Sequence, residues 1–156
     1  MTTKRGFTLI EVLIVAAIIV ILSIMAFAEL GGQKNTNDLS SAVSQAQALL
    51  SEAQNRSVSQ ENNVPWGVHF SNPTNTAPFY AIFFSAYGPS TTQGYYRLPS
   101  DVAYATATLP AGQSVDVLFN EISGIPVATA TIGFVSLSQS SLSSTISVSS
   151  AGVISD

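Results

Sequence analysis

From Leu9 to Ala28 the chain is apolar apart from Ser23 and one acid, Glu11. At 1.5 Å rise per residue, a helix over Phe7–Ala28 spans the ~30 Å of a bilayer's hydrocarbon. A carboxylate at mid-bilayer costs about 2.5–3.5 kcal/mol on insertion scales. The positive end of a helix returns only ~0.3–1 kcal/mol of that. Glu11 therefore calls for a cationic partner. Lys4 and Arg5 flank the run on its N-terminal side and hold that end in the cytoplasm, placing the remainder outside. Two rival readings are an ordinary secretory signal cut at Ala26-Phe27-Ala28, and a plain anchor. Against the first, the apolar stretch exceeds the roughly 7–15 residues of a signal's apolar region, and Glu11 lies inside it. Against the second, the helix dipole falls short of the insertion cost.

Gly31-Gly32 and the polar stretch Gln33–Asn37 follow. Paired glycines cost about 1 kcal/mol each in a helix interior, which predicts a bend or a meltable turn here. Leu39, Ala42, Val43, Ala46, Leu49, Leu50, Ala53 and Val58 then recur at i, i+3, i+4, i+7, one apolar stripe of an amphipathic helix over 37–61. Asn37 or Asp38 is its candidate N-cap. After Asn62-Asn63 the period changes to two. Strands are predicted at Trp66–Phe70, Phe79–Ser85, Tyr95–Leu98, Val102–Leu109, Ser114–Phe119, Val127–Val135, Thr145–Ser149 and Val153–Ile154. Between them stand turn signals such as Asn72-Pro73, Gly88-Pro89, Gly124-Ile125-Pro126 and Ala151-Gly152. Alternation of this kind is that of antiparallel sheets with one wet face. The serine-rich run Ser136–Ser150 contains Leu137, Leu142, Ile146 and Val148, which favours a serine-faced strand pair over a low-complexity stalk.

Only 9% of residues are charged, against roughly 25% in typical soluble domains. Besides Lys4 and Arg5, the basic residues are Lys34, Arg56 and Arg97, facing nine acids. That balance argues against a nucleic-acid groove, which needs clustered cations. No cysteine is present, so a disulfide framework or thiolate site is excluded. His69 is the single histidine, too few for a multi-histidine metal site, and alternation places it opposite Trp66, Val68 and Phe70 as a solvent-facing strand residue. Asp101, Asp116, Glu121 and Asp156 are scattered without a calcium-loop pattern. Tyr87, Tyr95, Tyr96 and Tyr104 read as sheet residues rather than a ligand box. No catalytic constellation, cofactor motif or metal set is found, so the expectation is a protein that is not an enzyme, with no cofactor.

Lys4-Arg5-Gly6-Phe7-Thr8-Leu9-Ile10-Glu11-Val12 resembles the leader junction of type IV pilins and type II secretion pseudopilins. The resemblance implies cleavage between Gly6 and Phe7 by a prepilin peptidase, N-methylation of Phe7, and an assembly role for Glu11. The segments from Ser51 to Gln60 with Val64–Val68, from Val117 to Pro126, and from Ile146 to Ile154 resemble the minor pseudopilins called GspH or FimT. Missing are the mid-helix proline of many major pilins, replaced by Ala28, and their paired cysteines.

The expected fold is α+β: a leader over 1–6, a long N-terminal helix over 7–62 (membrane-spanning at 7–30, amphipathic at 37–61), and an antiparallel β domain over 63–156. The expected function is structural: a subunit inserted in the bacterial inner membrane, trimmed, then assembled through its helix into a pilus or pseudopilus, in the minor role. Its implied partners are other pilin or pseudopilin subunits, the peptidase, the inner-membrane assembly platform and the membrane itself. Two alternatives are the major pilin of a divergent pilus and a DNA-uptake minor pilin, the latter poorly served by so few cations.

Overall fold

A computed structural model describes the backbone of residues 8–156 and the side chains of all of these except 25–33. Helix α1 (Leu9–Val58) leads through a 3-10 turn (Glu61–Asn63) into eight strands: β1 (Trp66–Asn72), β2 (Phe79–Phe84), β3 (Thr92–Arg97), β4 (Val102–Tyr104), β5 (Gln113–Phe119), β6 (Ala130–Ser136), β7 (Ser143–Val148) and β8 (Ile154–Ser155). The architecture is the expected α+β. Compactness divides the chain at Lys34/Asn35, so the C-terminal half of α1 belongs with the strands in one unit, Asn35–Asp156.

In the first unit, Thr8–Ile24 is exposed on every side, with Leu9 at 83% and Ile24 at 67%. Ser23, its one interior hydroxyl, donates to the Ile19 carbonyl at 2.7 Å, which satisfies it within the helix. Among the described residues no helix is long and apolar enough to cross a membrane.

α1 carries no break at Gly31-Gly32, and no new helix begins at Asn37 or Asp38. The expected meltable turn is thus absent. Two glycines cost about 2 kcal/mol together, but ending a helix there would orphan four carbonyls and then four amides. The helix stops instead at Val58, three residues before the expected end, and Gln60 takes a left-handed φ of 56°.

In the second unit the strands form two four-stranded antiparallel sheets, ordered β3-β2-β1-β5 and β4-β6-β7-β8. Leu39, Ala42, Val43, Ala46, Leu49, Leu50 and Ala53 are each at most 6% exposed and share one core with the inward residues of both sheets, Trp66, Val68 and Phe70 on β1 and Ile132 and Phe134 on β6 among them. The helical stripe therefore packs as its spacing demands. Val58, its last expected member, is 46% exposed, and Ser57 takes the inward position. Ser57 Oγ accepts the Trp66 amide at 2.8 Å, so the buried hydroxyl ties the end of α1 to the start of β1. The Arg56 guanidinium covers the Trp66 ring at 4.6 Å and bridges Glu52 and Glu61.

Two predicted strands are shorter than expected by two or more residues. Beyond Tyr104, Ala105 accepts the Thr108 and Leu109 amides, turning the chain before Leu109 and limiting β4 to three residues. Val127 gives its amide to Leu118, and Pro126 bridges Phe119, so β6 begins only at Ala130.

Because Asn35–Asp156 contains the complete core, a fragment starting at Asn35 is expected to be soluble and to unfold cooperatively with mixed α/β circular dichroism. An unfolded or aggregated fragment would contradict that packing. Burial, and secondarily the neighbouring tyrosines, push the Tyr80 and Tyr104 hydroxyls above the ordinary tyrosine range. Tyr104 donates to the Phe79 carbonyl at 2.9 Å, a bond that requires the neutral phenol. The folded pKa values exceed the unfolded ones, so this stability is complete below pH ~10 and declines as pH rises further, by up to about 1.4 kcal/mol per pH unit per group. Urea midpoints at pH 9 and 11 should show that decline, and Tyr104→Phe should flatten it.

Candidate functional site

Of the residues singled out at the N-terminus, Glu11 lies among the described residues; Lys4, Arg5, Gly6 and Phe7 lie outside them. Thr8 stands at the N-cap of α1. Its hydroxyl accepts the Glu11 amide at 3.4 Å, and its carbonyl accepts the amides of Glu11 and Val12 at 3.1 and 3.3 Å. Thr8-Leu9-Ile10-Glu11 is thus an S/T-x-x-E capping sequence, with the acid in the first turn where the helix dipole favours negative charge. This signal is legible in the sequence. The cap explains why a helix starts at Leu9, and not why a charge is kept there. An acid on an apolar helix whose flanks, Ile10, Val12 and Val15, are all at least half exposed faces whatever covers that surface. Among the described residues Glu11 forms no ion pair.

The three segments that resemble minor pseudopilins converge on one side chain, Gln54 of α1. Its amide nitrogen donates to the Gly124 carbonyl at 2.9 Å and to the Gly152 carbonyl at 2.8 Å, 70 and 98 residues away in sequence. Gly124 and Gly152 both have positive φ, 63° and 81°. A Cβ on Gly124 would meet Val58 at 2.7 Å, and one on Gly152 would meet the Gly124 carbonyl oxygen at 2.8 Å. Close approach to the helix end is what requires glycine at both.

His69 corrects the sequence reading. Alternation does put it on the outer face of its sheet, opposite Asp116 and Ala81, but it does not face solvent: it is 7% exposed. Tyr87, in the loop after β2 rather than on a strand, stacks on it with centroids 3.5 Å apart and planes 2° from parallel. Nδ1 lies 2.5 Å from Asp116 Oδ1. The other four tyrosines are on strands, Tyr80 on β2, Tyr95 and Tyr96 on β3 and Tyr104 on β4. Asp101 accepts from Ser136 at 2.7 Å and from Ser138, and Asp156 accepts from Ser144 at 2.7 Å. These acids are structural ties within the serine-rich sheet, and among the described residues no three metal-ligating side chains gather.

Residues 1–27 match the family described as the prokaryotic N-terminal methylation motif. No curated protein matches the chain. The crystal structure of the type IV minor pilin FimU of Pseudomonas aeruginosa (strain PAO1) resembles this fold with a TM-score of 0.55 and 18% sequence identity, over 76% of this chain and 87% of that one. Residues 1–27 thus carry an N-terminal methylation motif, and the fold is like that of FimU: an N-terminal helix packed on a C-terminal antiparallel β domain.

Proposed function

We propose that the protein is a minor structural subunit of a type IV pilus. The observation that carries this reading is the coincidence of an N-terminal methylation motif over residues 1–27 with a domain of minor-pilin fold on the same helix. The precursor sits in the inner membrane through residues 7–30, with its β domain outside the cytoplasm. A prepilin peptidase cuts between Gly6 and Phe7 and methylates Phe7. An assembly platform then extracts the subunit into a filament. The exposed flank of Thr8–Ile24, apolar apart from Thr8, Glu11 and Ser23, supports this, since such a surface needs either lipid or other apolar helices around it. The same features would serve a type II secretion pseudopilus, so the machine is tested separately from the processing.

Intact-mass analysis from a host possessing the peptidase should give a chain beginning at Phe7, one methyl group heavier than the bare sequence. A chain beginning at Glu29 would establish an ordinary secretory signal instead. Gly6→Val should leave the leader uncut and the protein in the membrane fraction. Deleting the gene should reduce surface pili if it serves a pilus, and reduce secretion of enzymes if it serves a pseudopilus.

A further inference from the structure

The order β3-β2-β1-β5 leaves β3 as an open edge. The Leu98 amide donates to the Pro78 carbonyl at 3.0 Å, and these residues are partners in the register that pairs Tyr96 with Tyr80 and Gly94 with Ile82. Hydrogen-bonded pairs alternate in an antiparallel ladder. Gly94 and Tyr96 therefore spend their backbone groups on β2, while the amide and carbonyl groups of Tyr95 and Arg97 point away from it. Among the described residues no backbone or side-chain group takes them. Such a row is a template for another strand unless something blunts it, and β3 contains neither proline nor lysine.

The side chains flanking this edge differ by face. On the outer face, Tyr95 stacks on Phe79 at 4.5 Å, and Arg97 sits 6.0 Å from the Tyr95 ring. Arg56 and Arg97 are the two basic residues of Asn35–Asp156. Arg56 is held by Glu52 and Glu61, whereas Arg97 is exposed and has no carboxylate partner among the described residues. On the inner face, Tyr96 stacks on Tyr80 at 5.6 Å. Beside it runs a groove of about 180 Å³ lined by Gln45, Ala48, Leu49, Glu52, Tyr80 and Tyr96. An edge that offers main-chain pairing, with a pocket for one side chain and a charge for its neighbours, is the arrangement by which sheets recognise extended peptides.

We infer that the β3 edge binds an extended acidic segment of a partner protein. The segment adds a strand beside β3. An aliphatic residue enters the groove next to Tyr96, and the acidic residues on either side meet Arg97 on the opposite face. The inference stands on the folded domain alone and survives a different fate for the leader.

The test uses the full chain in detergent micelles and two blocked heptapeptides, Thr-Thr-Glu-Val-Glu-Thr-Thr and its counterpart with lysine for glutamate. Amide exchange of Tyr95 and Arg97 should slow about tenfold with the glutamate peptide, while Gly94 and Tyr96, already bonded to β2, stay unchanged. Arg97→Glu should transfer the effect to the lysine peptide, a reversal that misfolding would not produce. Equal protection by both peptides, or by neither at millimolar concentration, would overturn the inference. Protection that grows with protein concentration in the absence of peptide would overturn it too, because the occupant would then be a second copy of this chain.

Discussion

Glu11→Gln should leave cleavage, membrane insertion and folding intact while incorporation into sheared filaments, measured by immunoblot beside wild type, falls at least tenfold. The capping geometry makes glutamine a clean probe. Thr8 accepts the amide at position 11 through its own hydroxyl and carbonyl, and glutamine serves the third helical position of a capping box as glutamate does. The start of α1 is therefore unchanged, and the loss isolates the charge. In the proposed filament of packed apolar helices, the cation on offer is the α-amino group that the proposed cleavage would free at Phe7, with a reference pKa near 8. Breaking a buried pair by removing one partner costs about 3–5 kcal/mol, since the other charge is left uncompensated. A factor of ten requires only ~1.4 kcal/mol of that. We propose that the pairing is between neighbouring subunits, where it sets axial register. Normal incorporation of the glutamine variant would refute it. Thr8→Val is the complementary case: it keeps the charge, removes the cap at about 1 kcal/mol, and should leave incorporation within a few-fold of wild type.

What the sequence discloses of this fold follows how local its causes are. The stripe from Leu39 to Ala53 is written at helical spacing, and every member is buried. The alternating runs at Trp66 and Ser114 become β1 and β5, since a side-chain period of two has one physical meaning when one face is apolar, and the continuous apolar run at Phe79 becomes β2. Errors occur where distant residues decide. Val102–Leu109 has the composition of a strand, but Gly133 accepts the Ala105 amide and Thr108 Oγ1 accepts that of Gly133, which draws the chain into a turn. His69 obeys alternation and is buried all the same, because the loop carrying Tyr87 folds back over the outer face. Alternation assigns a face; it does not say what covers it. Gly31-Gly32 fails in the other direction, a local cost outweighed by the carbonyls and amides that a break would orphan. The open edge of β3, by contrast, depends on strand order, which composition does not encode.

Gly152→Val should be the most damaging single change in the folded domain. Position 152 has φ of 81°, a region that β-branched residues scarcely enter. Its new Cβ would stand 2.8 Å from the Gly124 carbonyl oxygen and 2.9 Å from Gln54 Nε2. Backbone strain of about 1–3 kcal/mol adds to the loss of the bond from Gln54 and to the displacement of Gly124. Gln54→Ala removes the donor alone and leaves two carbonyls, at Gly124 and Gly152, short of their partner. An unsatisfied buried group costs about 1–3 kcal/mol, so that variant should lose ~2–4 kcal/mol. Both substitutions strike one contact, and the double variant should be much less destabilised than the sum, with a coupling of about 1–2 kcal/mol in urea unfolding of the fragment beginning at Asn35. Additive losses would mean that Gln54 and Gly152 act separately. The junction of helix end, Gly124 loop and C-terminal hairpin would then be held by the packing around Trp66 and Ser57 instead.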